Sequence, residues 1–162
     1  RIFVERWYNL MILQRDKILK LIQTNNLITS INPTHIGEFT VDLMAERFYS
    51  GDKDFNTIPL PPMRAIICQT YEIIDLPNDI VGFVSIRNKW LRQGLVLHAP
   101  IYHPGHKTQV TFTLQNISCQ DITLLEGESY AQIMFYELSH DAKPYIGKYY
   151  NEMYRLVDGA FH

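Results

Sequence analysis

Four stretches of this 162-residue chain hold side chains capable of chemistry. The run Ser85-Ile86-Arg87-Asn88-Lys89-Trp90-Leu91-Arg92-Gln93-Gly94-Leu95 ends an apolar strand pattern and then sets Arg87, Lys89 and Arg92 on a short helical turn, with Gly94 permitting re-entry into extended structure. Two guanidinium forks, an ammonium point charge and oriented backbone N–H groups are what a polyphosphate needs, although a solvated charged turn has the same composition. Tyr102-His103-Pro104-Gly105-His106 offers a His-x-x-His pair. Two imidazoles with a carboxylate could hold a metal, but a Pro-Gly turn does not force the rings to converge and no third ligand is near in sequence. No metal centre is expected here; a titrating pair, or a neutral ring stacked on a ligand, asks less of the chain. Asp42, within Thr40-Val41-Asp42-Leu43, points away from the apolar side of its strand, toward a polar pocket or toward solvent. Pro144-Tyr145-Ile146-Gly147-Lys148-Tyr149-Tyr150 combines aromatic rings with a cation, which suits a flap over a bound base and also suits plain tail packing.

The elements that would position these groups are mostly strands. Phe39, Val41 and Leu43 alternate with Thr40 and Asp42, and Val110, Phe112 and Leu114 alternate with Thr111, Thr113 and Gln115. Residues 65–74 and 79–86 are rich in β-branched and aromatic types, and further strands are expected at 95–98, 121–125 and 131–138. One amphipathic helix is expected over 16–24, where Ile18, Leu21 and Ile22 recur at helical spacing, ending at Asn25-Asn26. Residues 51–62, with three prolines and a glycine, read as a loop. Strands this short and closely spaced point to a barrel or jelly roll. Met11 reads as a natural start, so residues 1–10 are taken as an N-terminal extension and residues 11–162 as a single domain.

Composition narrows the function classes. Fifteen Lys and Arg against seventeen Asp and Glu give a formal charge of −2, too weakly charged for a protein that lives on phosphate-backbone attraction, so bulk nucleic-acid binding is not expected. No apolar run approaches the ~18 residues of a membrane-spanning helix, and the reading is a soluble, cytoplasmic protein without a membrane partner. Cys68 and Cys119 show no metal-ligand spacing and read as reduced and structural. Asn116-Ile117-Ser118 matches a glycosylation sequon, which without an export signal is read as chance.

Taken in order along the chain, these motifs resemble the dCTP deaminase and dUTPase superfamily, from about Met11 to Tyr149 and more closely on the deaminase side. Thr40-Val41-Asp42-Leu43 stands where that family has Ser-Val-Asp-Leu, and residues 72–79 are similar to the stretch leading into its Gly-Arg-Ser-Ser-Leu-x-Arg-x-Gly-Leu motif, seen here as residues 86–95. His103-Pro104-Gly105 stands for the Asp-Pro-Gly turn, Glu126-Gly127 through Gln132-Ile133 for the Pro-Gly-x-x-x-x-Gln strand, and Pro144-Tyr145 with Lys148-Tyr149 for the deaminase Pro-Tyr and Lys-Tyr. The resemblance implies a distorted jelly-roll or β-barrel of the dUTPase-like (β-clip) type with one short N-terminal helix, a homotrimer, and a deoxynucleoside triphosphate (dCTP, dUTP or dTTP) bound between subunits. It implies nucleotide contacts from Arg87, Arg92, Gln132, Tyr145, Lys148 and Tyr149, and Asp42 linked to a Mg²⁺ ion that arrives with the triphosphate; Lys89 stands where the family has the second Ser of its pair and adds a cation facing the same pocket or only the surface.

The departures fall on the chemistry. Thr113 stands where the deaminase branch has its water-activating Glu, Asn88 where it has the first Ser of its Ser-Ser pair, and His103 where the dUTPase branch has its Asp. Thr113 cannot take a proton at neutral pH, and a positioned general base contributes 10²–10⁴-fold in rate. The sequence therefore reads as a nucleotide-binding protein with impaired catalysis, acting as a sensor or regulatory module. The alternatives are a divergent dCTP deaminase or dUTP pyrophosphatase using His103 or His106, and a docking scaffold with no ligand.

Overall fold

A computed structural model describes residues 11–29, 31–153 and 156; residues 1–10, the expected extension, lie outside that range. In chain order the elements are β1 (Met11–Ile12), α1 (Arg15–Asn25), β2 (Ile28–Thr29), a 3-10 turn (Pro33–His35), β3 (Val41–Ser50), β4 (Lys53–Phe55), β5 (Thr57–Leu60), β6 (Ala65–Asp75), β7 (Ile80–Ile86), α2 (Asn88–Leu91), β8 (Leu95–His98), β9 (Lys107–Asn116), β10 (Ile122–Leu125) and β11 (Ser129–Glu137). The main sheet runs β1-β11-β3-β6-β9-β8, with β7 also paired to β11, β2 to β6 and β4 to β3, every pairing antiparallel. β11 serves β3 along one edge and β7 along the other, so the sheet curls into a half-barrel and the mainly β jelly-roll expectation holds.

Alternation explains which side is filled. Val41, Leu43 and Ala45 of β3, Ile66 and Cys68 of β6, Val110, Phe112 and Leu114 of β9, and Ile133 and Phe135 of β11 form one buried cluster, with the residues between them turned outward. α1 begins and ends within one residue of its expected span, drops Ile18 into the core and stops where Asn26 turns left-handed at φ 52°.

Several expectations need correction. Phe39 is 47% exposed and precedes β3, which starts at Val41 and continues to Ser50. Residues 51–62 are not a loop: they hold β4 and β5, and β5 forms a two-stranded ribbon with β10 in which Pro59 lies opposite Thr123. Pro is tolerated there because only one edge of such a strand needs donors. The short helical turn expected around Lys89 is present as α2, capped by Arg87 and Arg92. Cys68 is buried as expected, its thiol pushed up by burial, but Cys119 is exposed, and both are free. Asn116 is fully buried, its amide donating to Leu60 and Gln120 carbonyls, so the sequon is spent on packing.

Candidate functional site

The candidate residues gather in two places. The first is a row across three strands. Gln132 of β11 lies directly opposite Asp42 of β3 on one side and Ser85 of β7 on the other, and directly opposed residues share a face. Arg87, the residue that starts α2, reaches back to this row, its Nη1 2.9 Å from Asp42 Oδ2. Trp90 fixes the turn in place: its ring is buried against Tyr130, its indole N–H donates to the Ser129 carbonyl at 2.9 Å, and the Arg87 N–H donates to the Tyr130 carbonyl. Gly94 then turns the chain at φ +89°, where a Cβ would come within 2.7 Å of Ser118. Arg92 Nε donates to Asn88 Oδ1 at 3.2 Å, so these two stay together on the exposed end of the turn. Lys89 is drawn aside, 3.3 Å from Glu128 and 4.5 Å above the Trp90 ring.

The second is a cavity of about 410 Å³ on the outer side of β6, β8 and β9. Ile67, Thr113 and His98 stand in register across its floor. The loop from Pro100 to His106 walls one side, held by Tyr102, whose hydroxyl donates to the Thr111 carbonyl at 2.6 Å and accepts from the Thr111 N–H at 2.8 Å. The C-terminal segment walls the other. Tyr145 packs on His106 with centroids 4.2 Å apart and stacks on His103 at 6.1 Å. Gly105, at φ +74°, leaves no room for a Cβ, which would sit 2.6 Å from Pro144; the Pro-Gly turn is thus the seat of this segment. Tyr149 lines the cavity and Lys148 lies 5.7 Å from the Tyr149 ring. His103, Thr113, Tyr145 and Tyr149 are therefore brought together, whereas Asp42, Arg87, Lys89, Arg92 and Gln132 do not line this cavity.

Burial lowers the His106 pKa, opposed by its hydrogen bond to the Tyr149 carbonyl at 3.0 Å and reinforced by the nearby His103. The ring is neutral at neutral pH and serves as a platform. His103 and His106 both pack on Tyr145, and among the described residues no group of three or more His, Cys, Asp and Glu stands together.

Two carboxyl groups escaped the sequence reading. Glu152 lines the cavity, its carbonyl accepting from the Gln109 N–H at 3.1 Å and the Thr108 hydroxyl at 3.0 Å. Glu72 is 1% exposed at the bulge of β6, where Oε2 accepts from the Met44 N–H at 3.0 Å and Oε1 has no partner. Burial, with a smaller push from Asp42, raises its pKa to about 7.

The curled sheet recurs in known proteins. A dCTP deaminase from Thermococcus kodakarensis is 35% identical over 98 residues, 60% of this chain and 63% of the relative, so the chain spans somewhat under two thirds of that protein's length. Among solved structures, the 2'-deoxycytidine 5'-triphosphate deaminase from Agrobacterium tumefaciens superposes with a TM-score of 0.67 at 12% identity, covering 78% of this chain and 48% of that one. The EIAV dUTPase superposes at 0.55 with 21% identity, covering 75% and 92%. These two likenesses establish the fold. The profile of the dCTP deaminase-like family matches residues 52–138, from β4 through the end of β11, and since that is more than half of the chain the protein belongs to this family.

Proposed function

We propose that this protein binds a deoxynucleoside triphosphate, with catalysis impaired relative to its deaminase relatives, and that it works as a nucleotide sensor or regulatory module. The observation that carries the reading is Thr113 on the floor of an otherwise furnished cavity. A ring-lined space of about 410 Å³ accommodates a nucleobase, Tyr145 and Tyr149 supply faces for stacking, and the water-activating position holds a hydroxyl that takes no proton at neutral pH. The triphosphate belongs on the Asp42–Gln132–Ser85 row, where Arg87 supplies a fork and Arg92 a second cation nearby. Lys148 closes the phosphates from the C-terminal segment, and Lys89 acts from the rim beside Glu128. A Mg²⁺ ion bridging phosphate oxygens keeps most of its water and needs only one or two protein carboxylates; Asp42 is the carboxylate present in the row, so the donor set fits an ion that travels with the ligand.

The family resemblance implies a homotrimer, and the separation of the cation row from the cavity within one chain supports a site completed between copies. Light scattering should return about three times 19.0 kDa; a monomer removes the inter-subunit site. The binding reading is tested by calorimetry with dCTP, dUTP and dTTP, with and without Mg²⁺. Heat of binding for at least one is expected, and silence for all three at millimolar ligand overturns the reading. Turnover on the order of 10 per second, the median of ordinary enzymes, overturns the impairment.

A further inference from the structure

We propose that Glu152 is the general base for the slow hydrolytic deamination that this site retains, occupying in space the role that Thr113 cannot fill in sequence. The inference rests on the binding reading above and adds a reacting group to it. Its first support is shared walls: Thr113 and Glu152 line the same cavity, and a sphere of that volume is about 9 Å across, so a base seated against Thr113 lies within reach of a glutamate side chain directly or through one water.

Its second support is that the segment carrying Glu152 is pinned. The Asn151 N–H donates to the Lys107 carbonyl at 2.6 Å, Asn151 adopts φ +62°, and the Glu152 carbonyl then takes both the Gln109 N–H and the Thr108 hydroxyl. These bonds tie residue 152 to the first turn of the strand that ends its cavity face at Thr113. The negative charge of Glu152 is felt at two phenols, Tyr102 in the cavity wall and Tyr49 beside it, whose ionisation it opposes.

The competing bases are worse placed. His106 spends Nε2 on the Tyr149 carbonyl and its ring on Tyr145. His103 and His98 also line the cavity but are exposed to solvent. A carboxylate that is only partly exposed can accept a proton from water and return it to a leaving amine.

The reaction balances as dCTP + H₂O → dUTP + NH₃. Water oxygen bonds to C4 of the cytosine as Glu152 takes one proton and the N3=C4 π pair moves onto N3; the same proton passes to the exocyclic nitrogen, the N3 pair re-forms the double bond as the C4–N4 bond breaks, ammonia leaves with the electron pair of that bond, and the remaining hydroxyl proton moves from oxygen to N3 to give the uracil ring.

The test measures dCTP affinity by calorimetry and ammonia and dUTP by product analysis, in the wild type, E152Q, T113E/E152Q and H103A, all as full chains. Expected are slow wild-type turnover, a loss of at least 100-fold in E152Q with affinity held within about threefold, and recovery in T113E/E152Q. The acidic limb of the kcat–pH profile is expected to disappear in E152Q. Binding without ammonia release in the wild type overturns the role of Glu152 and leaves the binding reading standing. So does turnover that persists in E152Q, or turnover that falls in H103A alone. No binding of dCTP, dUTP or dTTP at all brings down the binding reading itself.

Discussion

Replacing Glu72 by Gln should abolish a pH dependence of stability that this one carboxyl contributes. In the native protein the Glu72 carboxyl is 1% exposed, holds one hydrogen bond from the Met44 N–H, leaves Oε1 without a partner and faces the charge of Asp42. Its pKa rises from 4.5 to about 7, chiefly through burial. A raised native pKa means that the folded state holds a proton which the unfolded state has already released, so the stability this group contributes is intact below 4.5 and is lost as pH climbs through 7. At 1.36 kcal/mol per pH unit the loss is about 3 kcal/mol, a large share of the 5–15 kcal/mol that holds a domain folded. Gln keeps an acceptor for Met44, adds no charge, and escapes the loss. The assay is urea unfolding of wild type and E72Q at a series of pH values spanning that window, with the difference taken at each pH. Groups common to both proteins cancel, including His106, whose lowered pKa acts in the opposite sense and weakens the fold as pH drops below 6.5. The advantage of E72Q should grow by about 3 kcal/mol from the acidic to the basic end. A difference that stays flat to within ~0.5 kcal/mol refutes the account of a buried, under-bonded carboxyl.

Further tests address the two halves of the site. Gly105→Ala puts a Cβ at 2.6 Å from Pro144 on a residue at φ +74°; a left-handed alanine costs about 1–2 kcal/mol by itself, and the C-terminal segment must also leave its seat, so both thermal stability and nucleotide affinity should fall. Trp90→Ala empties a buried pocket behind α2 and should cost about 3–5 kcal/mol in chemical unfolding. Arg87→Ala should weaken triphosphate binding by roughly 10- to 100-fold in calorimetry while hardly moving the melting temperature, because the half-exposed pair with Asp42 contributes under about 1 kcal/mol to stability. Lowering the pH toward and below 6.5 should charge His106, loosen Tyr145 and increase amide exchange in residues 144–152.

What could be read from residues alone follows from how local the signal is. β9 and the buried side of β3 announce themselves by period-two alternation, and α1 by its apolar spacing and the Asn25-Asn26 stop, because each pattern reflects one face meeting one core. The ribbon strand β5 was hidden by Pro59, Pro61 and Pro62, since proline content signals a loop unless the partner strand is known, and that partner, β10, lies some sixty residues away. Glu72 was hidden by the register shift of β6 between Gln69 and Ile73: the bulge breaks alternation, so Gln69, Thr70 and Glu72 are all buried and no two-residue rule separates them.

The candidate site divides along the same line, and the division bears on whether catalysis is lost. Arg87 and Gly94 belong to one contiguous motif whose spacing is set by a helical turn, and they stand where that spacing puts them. Thr113 is equally legible, as a hydroxyl where the resemblance implies a carboxylate. Glu152 is not: it reaches the cavity through bonds from its own backbone to Thr108 and Gln109, more than forty residues earlier, with no periodicity linking the two segments. A motif comparison records a loss at position 113 because it compares residues at aligned places, whereas proton transfer depends on which atoms share a cavity, whatever their place in the chain. On the proposal above, the carboxylate absent from β9 is supplied within the same walls by Glu152. Impairment inferred from alignment and impairment measured by turnover are separate quantities in this protein, and E152Q is the substitution that tells them apart.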